Sequence, residues 1–149
     1  MKGSVMIKSI ERFARERDID KLSPNDDAFA ANIIEEVLEH RGYVITPEMR
    51  TTLKDKFNSF VVSLEEENII TFSTAKGIEG KVDAMADIVV FSITEMMKFD
   101  YKPTCVLREV SKEINSRKGK IVDGKFEKFK PGQDGYVEPY KADYRRCEA

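Results

Sequence analysis

Residues 81–98 read KVDAMADIVVFSITEMMK, and this stretch decides the fold class. In a helix of this sequence, apolar side chains such as Ile88, Val89, Phe91 and Met96 fall around nearly the whole circumference. A helix that is apolar on all sides has to be covered by other elements, so we expect it to be central and buried. The sequence therefore predicts an all-α fold, a compact helical bundle built around residues 81–98.

Four further helices are predicted around this segment. Apolar residues recur at helical spacing on both sides of it, and Ser23-Pro24, Thr46-Pro47 and Pro103 are typical of helix starts. The five predicted helices run, in chain order, over about residues 4–17, 24–42, 47–67, 81–98 and 103–118. Because nothing in the sequence marks a second domain, we expect residues 1–149 to form a single helical domain.

The C-terminal segment differs in composition from the rest of the chain. Residues 119–149 hold four of the eight glycines and two of the five prolines, interleaved with lysine and tyrosine. Glycine and proline interrupt regular structure, so we expect an extended tail there. An untethered tail and a tail that folds over a bound ligand both fit this composition.

Charge and cysteine content limit the functional classes. The chain has 25 Lys and Arg against 27 Asp and Glu, so we expect no nucleic-acid partner and no attraction to an anionic membrane. No window approaches the roughly 20 apolar residues of a membrane span, and no signal peptide is recognisable, which predicts a cytoplasmic protein. Cys105 and Cys147 are not clustered, so we predict two free thiols.

Acidic residues are grouped on two of the predicted helices. Glu35, Glu36 and Glu39 lie within one turn of the second helix, and Asp83 and Asp87 are four residues apart on the fourth. Carboxylate oxygens of this kind favour magnesium or manganese over zinc. An alternative interpretation fits equally well: the three glutamates form a solvated face, and the two aspartates stabilise a helix start.

These two groups carry a resemblance to a known family. EEVLE at residues 35–39 resembles the EExxE motif of the all-alpha NTP pyrophosphohydrolase superfamily, the MazG-like proteins. DAMADIVVF at residues 83–91 resembles the later ExxD motif and the apolar run that follows it. Ala84 stands where the family has Glu, and Asp83 lies one residue earlier. The resemblance covers residues 30–40 and 80–147 best, and residues 43–79 look like an insertion.

The resemblance implies an enzyme that cleaves a nucleoside triphosphate, ribo or deoxy, to the monophosphate and pyrophosphate. It implies that Glu36, Glu39, Asp83 and Asp87 hold Mg²⁺, with Mn²⁺ as a substitute. It also implies that the bound metal lowers the pKa of an attacking water and that Glu35 and Glu36 are the catalytic residues, with Glu35 either accepting the proton or facing solvent. Relatives generally assemble from two or four chains, which implies a homodimer or homotetramer.

Phosphate-binding residues are also implied by the resemblance. KEINSRKGK at residues 112–120 resembles the lysine- and asparagine-bearing helix end that binds phosphates in MazG-like and phage-encoded relatives. The residues carried over are Lys112, Asn115, Lys118 and, from the tail, Lys125. From the residues alone, a solvated helix face explains Lys112, Asn115 and Lys118 as well.

Two other functional classes stay open at this point. The Ala84 departure is also compatible with a catalytically silent helical module that binds nucleotide or protein. Alternatively, the same fold and metal would serve a phosphoribosyl nucleotide or another diphosphate-containing metabolite. Release of pyrophosphate from a nucleoside triphosphate distinguishes the enzyme from the silent module.

Overall fold

The computed structural model describes residues 2–122 and 125–149. Within these residues the chain forms five α-helices and one short antiparallel hairpin, which confirms the predicted all-α class. The helices are α1 (Lys2–Glu16), α2 (Asp26–His40), α3 (Pro47–Glu66), α4 (Gly77–Lys98) and α5 (Pro103–Ser116). The hairpin pairs β1 (Gly119–Val122) with β2 (Lys125–Lys128).

The helix starts follow from local capping chemistry. Prolines occupy the first turn of α3 and α5 as predicted, where the missing amide proton is not needed. The cap of α2 is Asn25, whose side-chain oxygen accepts a hydrogen bond from the Ala28 amide at 3.0 Å. Helix α4 begins at Gly77, earlier than the predicted residue 81, with Glu79 in its first turn.

The chain divides into two compact units. One consists of residues up to Ser23 together with Ile78–Ala149, and α1 packs along α5 within it. The other is Pro24–Gly77, in which α2 packs along α3. Glu35 of α2 and Arg50 of α3 form an ion pair with 2.8 Å between Oε2 and Nε, and both side chains are largely buried.

Helix α4 is not the buried centre that the sequence predicted. Val89, Val90 and Phe91 are all more than half exposed, and none of the described residues of α4 is fully buried. The apolar pattern of residues 81–98 formed a helix, but one chain does not cover its surface. None of the described helices combines the length and the apolar content that a lipid bilayer span requires.

The C-terminal segment is more ordered than the expected extended tail. Beyond the hairpin, the last residues form a short 3-10 helix, Tyr144–Cys147, that packs on α5. Residues 123 and 124 of the predicted tail lie outside the described residues. Order here comes from contacts with α5 that are distant in sequence, which local composition does not reveal.

The prediction of two free thiols is wrong. Cys105 and Cys147 form a disulfide, with their Cα atoms 5.4 Å apart and a separation of 42 positions in sequence. Cys147 is fully buried, and Cys105 is partly buried in α5. The pairing depends on the C-terminal segment folding back onto α5, so the spacing of the two cysteines could not predict it.

Candidate functional site

Helices α1 and α5 meet at a polar junction. The Ser111 hydroxyl donates to Ser9 Oγ at 2.7 Å, and Ser111 is buried. The Asn115 amide donates to Ser9 Oγ at 3.0 Å, to the Ser9 carbonyl at 3.2 Å and to the Ser111 carbonyl at 2.8 Å. Serine is small enough to let the two backbones approach, and each polar group in the junction has a partner.

Arg17 holds the helices together at the carboxyl end of α5. Its guanidinium donates to the carbonyls of Asn115 and Arg117, both at 2.9 Å, and so satisfies acceptors that the helix end leaves unpaired. The guanidinium carbon also lies 4.4 Å from the centre of the Phe13 ring. Phe13 in turn contacts Phe126 of β2 edge to face, with 5.7 Å between ring centres.

A cavity of about 340 Å³ opens beside this junction. It has an apolar part formed by Val5 and Met6 and a polar part formed by both serines and the asparagine. Three cationic side chains also line it, and none of its described lining residues is acidic. The complete lining is Val5, Met6, Ser9, Arg12, Arg108, Ser111, Lys112 and Asn115. Arg12 lies 3.9 Å from Glu16 and Lys112 lies 3.4 Å from Glu109, but neither carboxylate lines the cavity, so the lining itself is positively charged and favours an anionic ligand.

Lys112 is held from the side of the C-terminal segment. Its Nζ lies 3.4 Å from Glu109 Oε1 and 5.8 Å from the centre of the Tyr140 ring. Glu109 is only 2% exposed. Its carboxylate accepts hydrogen bonds from the Tyr140 hydroxyl at 2.5 Å and from the Asp143 amide at 3.3 Å, and Arg146 lies 3.6 Å away. Glu109 therefore places Lys112 next to the cavity.

The same contacts determine how Glu109 ionises. The hydrogen bond from Tyr140 is the main cause that lowers the pKa of Glu109, and the Asp143 amide and Lys112 add to it against the opposing effect of burial. The hydrogen bond to Glu109 also raises the pKa of the Tyr140 hydroxyl. Glu109 is therefore a carboxylate at neutral pH, and the Tyr140 hydroxyl donates a hydrogen bond to it.

The predicted phosphate-binding residues divide into two groups. Lys112 and Asn115 line the cavity, whereas Lys118 and Lys125 are not among its lining residues. Lys118 is exposed just beyond α5, and Lys125 is exposed at the start of β2, paired with Val122. The Asn115 amide hydrogens are already engaged between α1 and α5, so its observed contacts orient the helices.

The predicted acidic residues lie in both units. On α2, Glu36 and Glu39 are exposed, whereas Glu35 is held by Arg50. On α4, Asp83 and Asp87 are exposed. All of these are carboxylates and suit Mg²⁺ in ligand type. In the part of the chain that the structure describes, no group of three or more His, Cys, Asp or Glu residues is arranged to hold a metal ion.

Comparisons with known proteins give no match. No family model, no curated protein and no solved structure is similar to this chain. The resemblance to the MazG-like proteins therefore stays a prediction that rests on the motifs at residues 35–39, 83–91 and 112–120.

Sequence reasoning did not identify two of the three cations in the cavity. Arg108, Lys112 and Asn115 stand at positions i, i+4 and i+7 of α5, which places them along one side of that helix. This spacing was readable and could have identified Arg108. Arg12 comes from α1, and only the packing of α1 on α5 brings it to the cavity.

Proposed function

We propose that this protein is a magnesium-dependent nucleoside triphosphate pyrophosphohydrolase, which hydrolyses a ribo- or deoxyribonucleoside triphosphate to the monophosphate and pyrophosphate. The observation that carries the proposal is the cationic cavity between α1 and α5. It contains Lys112, one of the residues that the family resemblance implies for phosphate binding, and Asn115, whose amide is engaged between the two helices and orients them. Arg12 and Arg108 add positive charge to the same cavity.

The cavity suits the substrate in size and chemistry. Its volume of about 340 Å³ lies within the range typical of small-molecule sites. Arginine side chains bind phosphate oxygens with two parallel hydrogen bonds, and lysine adds a compact positive charge. We assign the triphosphate to the Arg12, Arg108 and Lys112 side of the cavity. The Val5 and Met6 side then faces the apolar part of the nucleoside.

The proposed reaction also uses the acidic residues. On the family resemblance, Glu36 and Glu39 of α2 and Asp83 and Asp87 of α4 would bind one or more Mg²⁺ ions, because their carboxylates match its preference for oxygen ligands. When bound, the ion would neutralise phosphate charge and lower the pKa of a nearby water. The water oxygen bonds to the α-phosphorus while the bond to the bridging oxygen breaks. As the resemblance implies, Glu35 would accept the proton once it is released from its ion pair with Arg50, and pyrophosphate would leave.

The decisive experiment measures pyrophosphate release from a panel of canonical and modified nucleoside triphosphates with Mg²⁺. We expect release from at least one of them, and we expect Glu36→Gln to abolish it while the far-ultraviolet circular dichroism stays unchanged. Glu66→Gln is the matched control because Glu66 is an exposed carboxylate at the end of α3 with no assigned role. Absence of release across the whole panel would overturn the proposed activity.

A catalytically silent nucleotide-binding module is the second candidate. Two observations favour it: Ala84 stands where the family has an acidic residue, and the described residues contain no group of three metal-binding side chains. This candidate predicts that nucleoside triphosphates bind at the α1–α5 cavity without hydrolysis. Equilibrium binding of a nucleotide that is not cleaved over hours would support it over the enzyme.

We also propose that the protein acts as a homodimer or homotetramer in the cytoplasm. Exposed apolar residues on α4 support the assembly, because one chain leaves them in contact with water. Those at least half exposed are Ile78, Val82, Val89, Val90, Phe91 and Met97. Light scattering should give a mass that is a multiple of 17.1 kDa, whereas a single 17.1 kDa species would refute the assembly.

A further inference from the structure

The last ten residues run along α5 in the opposite direction to the helix. We call residues 140–149 the strap. Its backbone amides donate to α5 side chains in order: Tyr140 to Ser116 at 2.7 Å, Ala142 to Glu113 at 3.0 Å and Asp143 to Glu109 at 3.3 Å. The end of the strap is held by two backbone bonds, from Lys102 to the Cys147 carbonyl at 2.8 Å and from Ala149 to the Asp100 carbonyl at 2.7 Å.

One covalent bond holds the strap, the disulfide between Cys105 of α5 and Cys147. The other contacts in this series are hydrogen bonds and ion pairs, which open and close individually in water. The disulfide keeps the strap close to α5 whenever those contacts open, so it increases the fraction of time for which the hydrogen bonds and ion pairs are formed. Without it, each strap contact has to form against the conformational freedom of residues 140–149.

The strap reaches the cavity through Lys112. Tyr140 and Asp143 of the strap donate to the buried carboxylate of Glu109, which in turn pairs with Lys112. If the strap leaves, Glu109 loses these two donors and the nearby Arg146, and Lys112 becomes its remaining charged partner. Lys112 is then drawn away from an anion in the cavity.

We propose that the Cys105–Cys147 disulfide is a reversible latch: when a dithiol reductant opens it, the strap leaves α5 and the α1–α5 cavity binds polyphosphate more weakly. The effect on the cavity rests on the proposed function. The release of the strap does not, because it depends only on the contacts of residues 140–149 with α5.

The chemistry of opening balances as thiol–disulfide exchange. A thiolate of the dithiol attacks the sulfur of Cys105, the less buried partner, and Cys147 leaves as a thiolate that takes up a proton. The second thiol of the reductant then displaces Cys105 from the mixed disulfide. The protein disulfide gains two electrons and becomes two thiols, and the reductant becomes a disulfide.

The experiment compares the oxidised protein, the protein reduced with dithiothreitol, and Cys147→Ser. Alkylation followed by mass spectrometry counts the free thiols under native conditions. Amide hydrogen exchange of Tyr140, Ala142 and Asp143 reports the strap, and calorimetric titration with inorganic tripolyphosphate reports the cavity. The exchange of α3 amides serves as an internal control because α3 lies in the other unit.

We expect reduction to accelerate exchange of the strap amides while α3 amides stay unchanged, and Cys147→Ser to match the reduced protein without reductant. In the open state tripolyphosphate loses its contact with the Lys112 ammonium, so we expect its affinity to be about two- to fivefold weaker. Phe91→Ala, which changes an exposed residue of α4 outside the strap and the cavity, should leave both readouts unchanged.

Three results would overturn the latch. Strap amides that stay protected after both cysteines are reduced would show that the other contacts suffice. Global loss of helical circular dichroism on reduction would make the disulfide a permanent staple. Equal tripolyphosphate affinity in both states, or none in either, would remove the coupling. Absence of binding in both states also argues against the proposed phosphate site, whereas strap exchange is read independently of it.

Discussion

Replacing Arg17 should separate α1 from α5 and provides the sharpest test of the site. Its side chain is only 12% exposed and donates to two carbonyls at 2.9 Å at the end of α5. Hydrogen bonds from a charged donor are worth roughly 1.5–3 kcal/mol each, and an arginine over an aromatic ring adds roughly 0.5–1 kcal/mol. In a variant without the guanidinium, water can donate hydrogen bonds to the two carbonyls, so we take the lower part of this range.

On this reasoning Arg17→Ala should lower the free energy of unfolding by about 3.5 kcal/mol. Arg17→Lys keeps the charge but not the planar fork that reaches both carbonyls, so we expect it to lose roughly half as much. Urea titration followed by far-ultraviolet circular dichroism measures both values. Amide exchange along α1 should also increase, because the clamp at its end is lost.

Arg15→Ala is the matched control. Arg15 lies in the last turn of α1, two residues before Arg17, but it is 65% exposed, and its contact is an ion pair with Glu11 one turn away. Such pairs contribute about 0.3–0.5 kcal/mol, so this variant should be nearly as stable as the wild type. If Arg17→Ala costs no more than Arg15→Ala, the clamp does not hold the two helices and the reasoning fails.

Three further predictions concern the strap and the second unit. Folding lowers the pKa of Glu109, mainly through the Tyr140 hydrogen bond, and of Glu113, mainly through the Ala142 amide. Groups with a lowered pKa stabilise the fold above their unfolded value near 4.5 and lose that contribution as the pH falls through the folded value. The protection factors of the strap amides, which compare the measured exchange with the intrinsic exchange at the same pH, should therefore fall in acid, and protection factors that stay constant down to about pH 3 would contradict this. Cys147→Ser should lower the unfolding free energy in urea by about 4 kcal/mol, from the entropy of closing a loop of about 42 residues, and a loss below about 1 kcal/mol would refute the loop argument. Arg50→Ala leaves the largely buried Glu35 without its partner, so we expect the free energy of unfolding to fall by about 1–3 kcal/mol. If urea titration finds no decrease, the ion pair does not hold α2 and α3 together.

Local signals predicted the helices but not how they are covered. Apolar periodicity and the prolines at positions 47 and 103 act within one turn of the chain, so the five helices and the all-α class followed from sequence. The exposure of α4 depends on what packs against it, which periodicity does not contain. The disulfide depends in the same way on where residue 147 comes to lie.

The candidate site was predicted only in part, for a similar reason. Lys112 and Asn115 came from a resemblance that one segment carries, and both line the cavity. Arg12 and Ser9 belong to a helix about a hundred positions away in sequence, and their relation to α5 exists only in the fold. Whether the carboxylates of α2 and α4 share an ion stays a prediction that metal titration of the Glu36→Gln variant can test.

The geometry of α5 explains why the strap and the cavity meet at Lys112. Successive residues of a helix turn by about 100°, so the strap-binding positions 105, 109, 113 and 116 fall within an arc of about 80°. The cavity positions 108, 111 and 115 fall within an adjacent arc of about 60°. Position 112 lies in the gap between the two arcs, about 20° from the nearest strap position and about 40° from the nearest cavity position. A cation there is shared by both faces of one rigid helix, so a change in the strap alters the charge of the cavity without any movement of the backbone of α5.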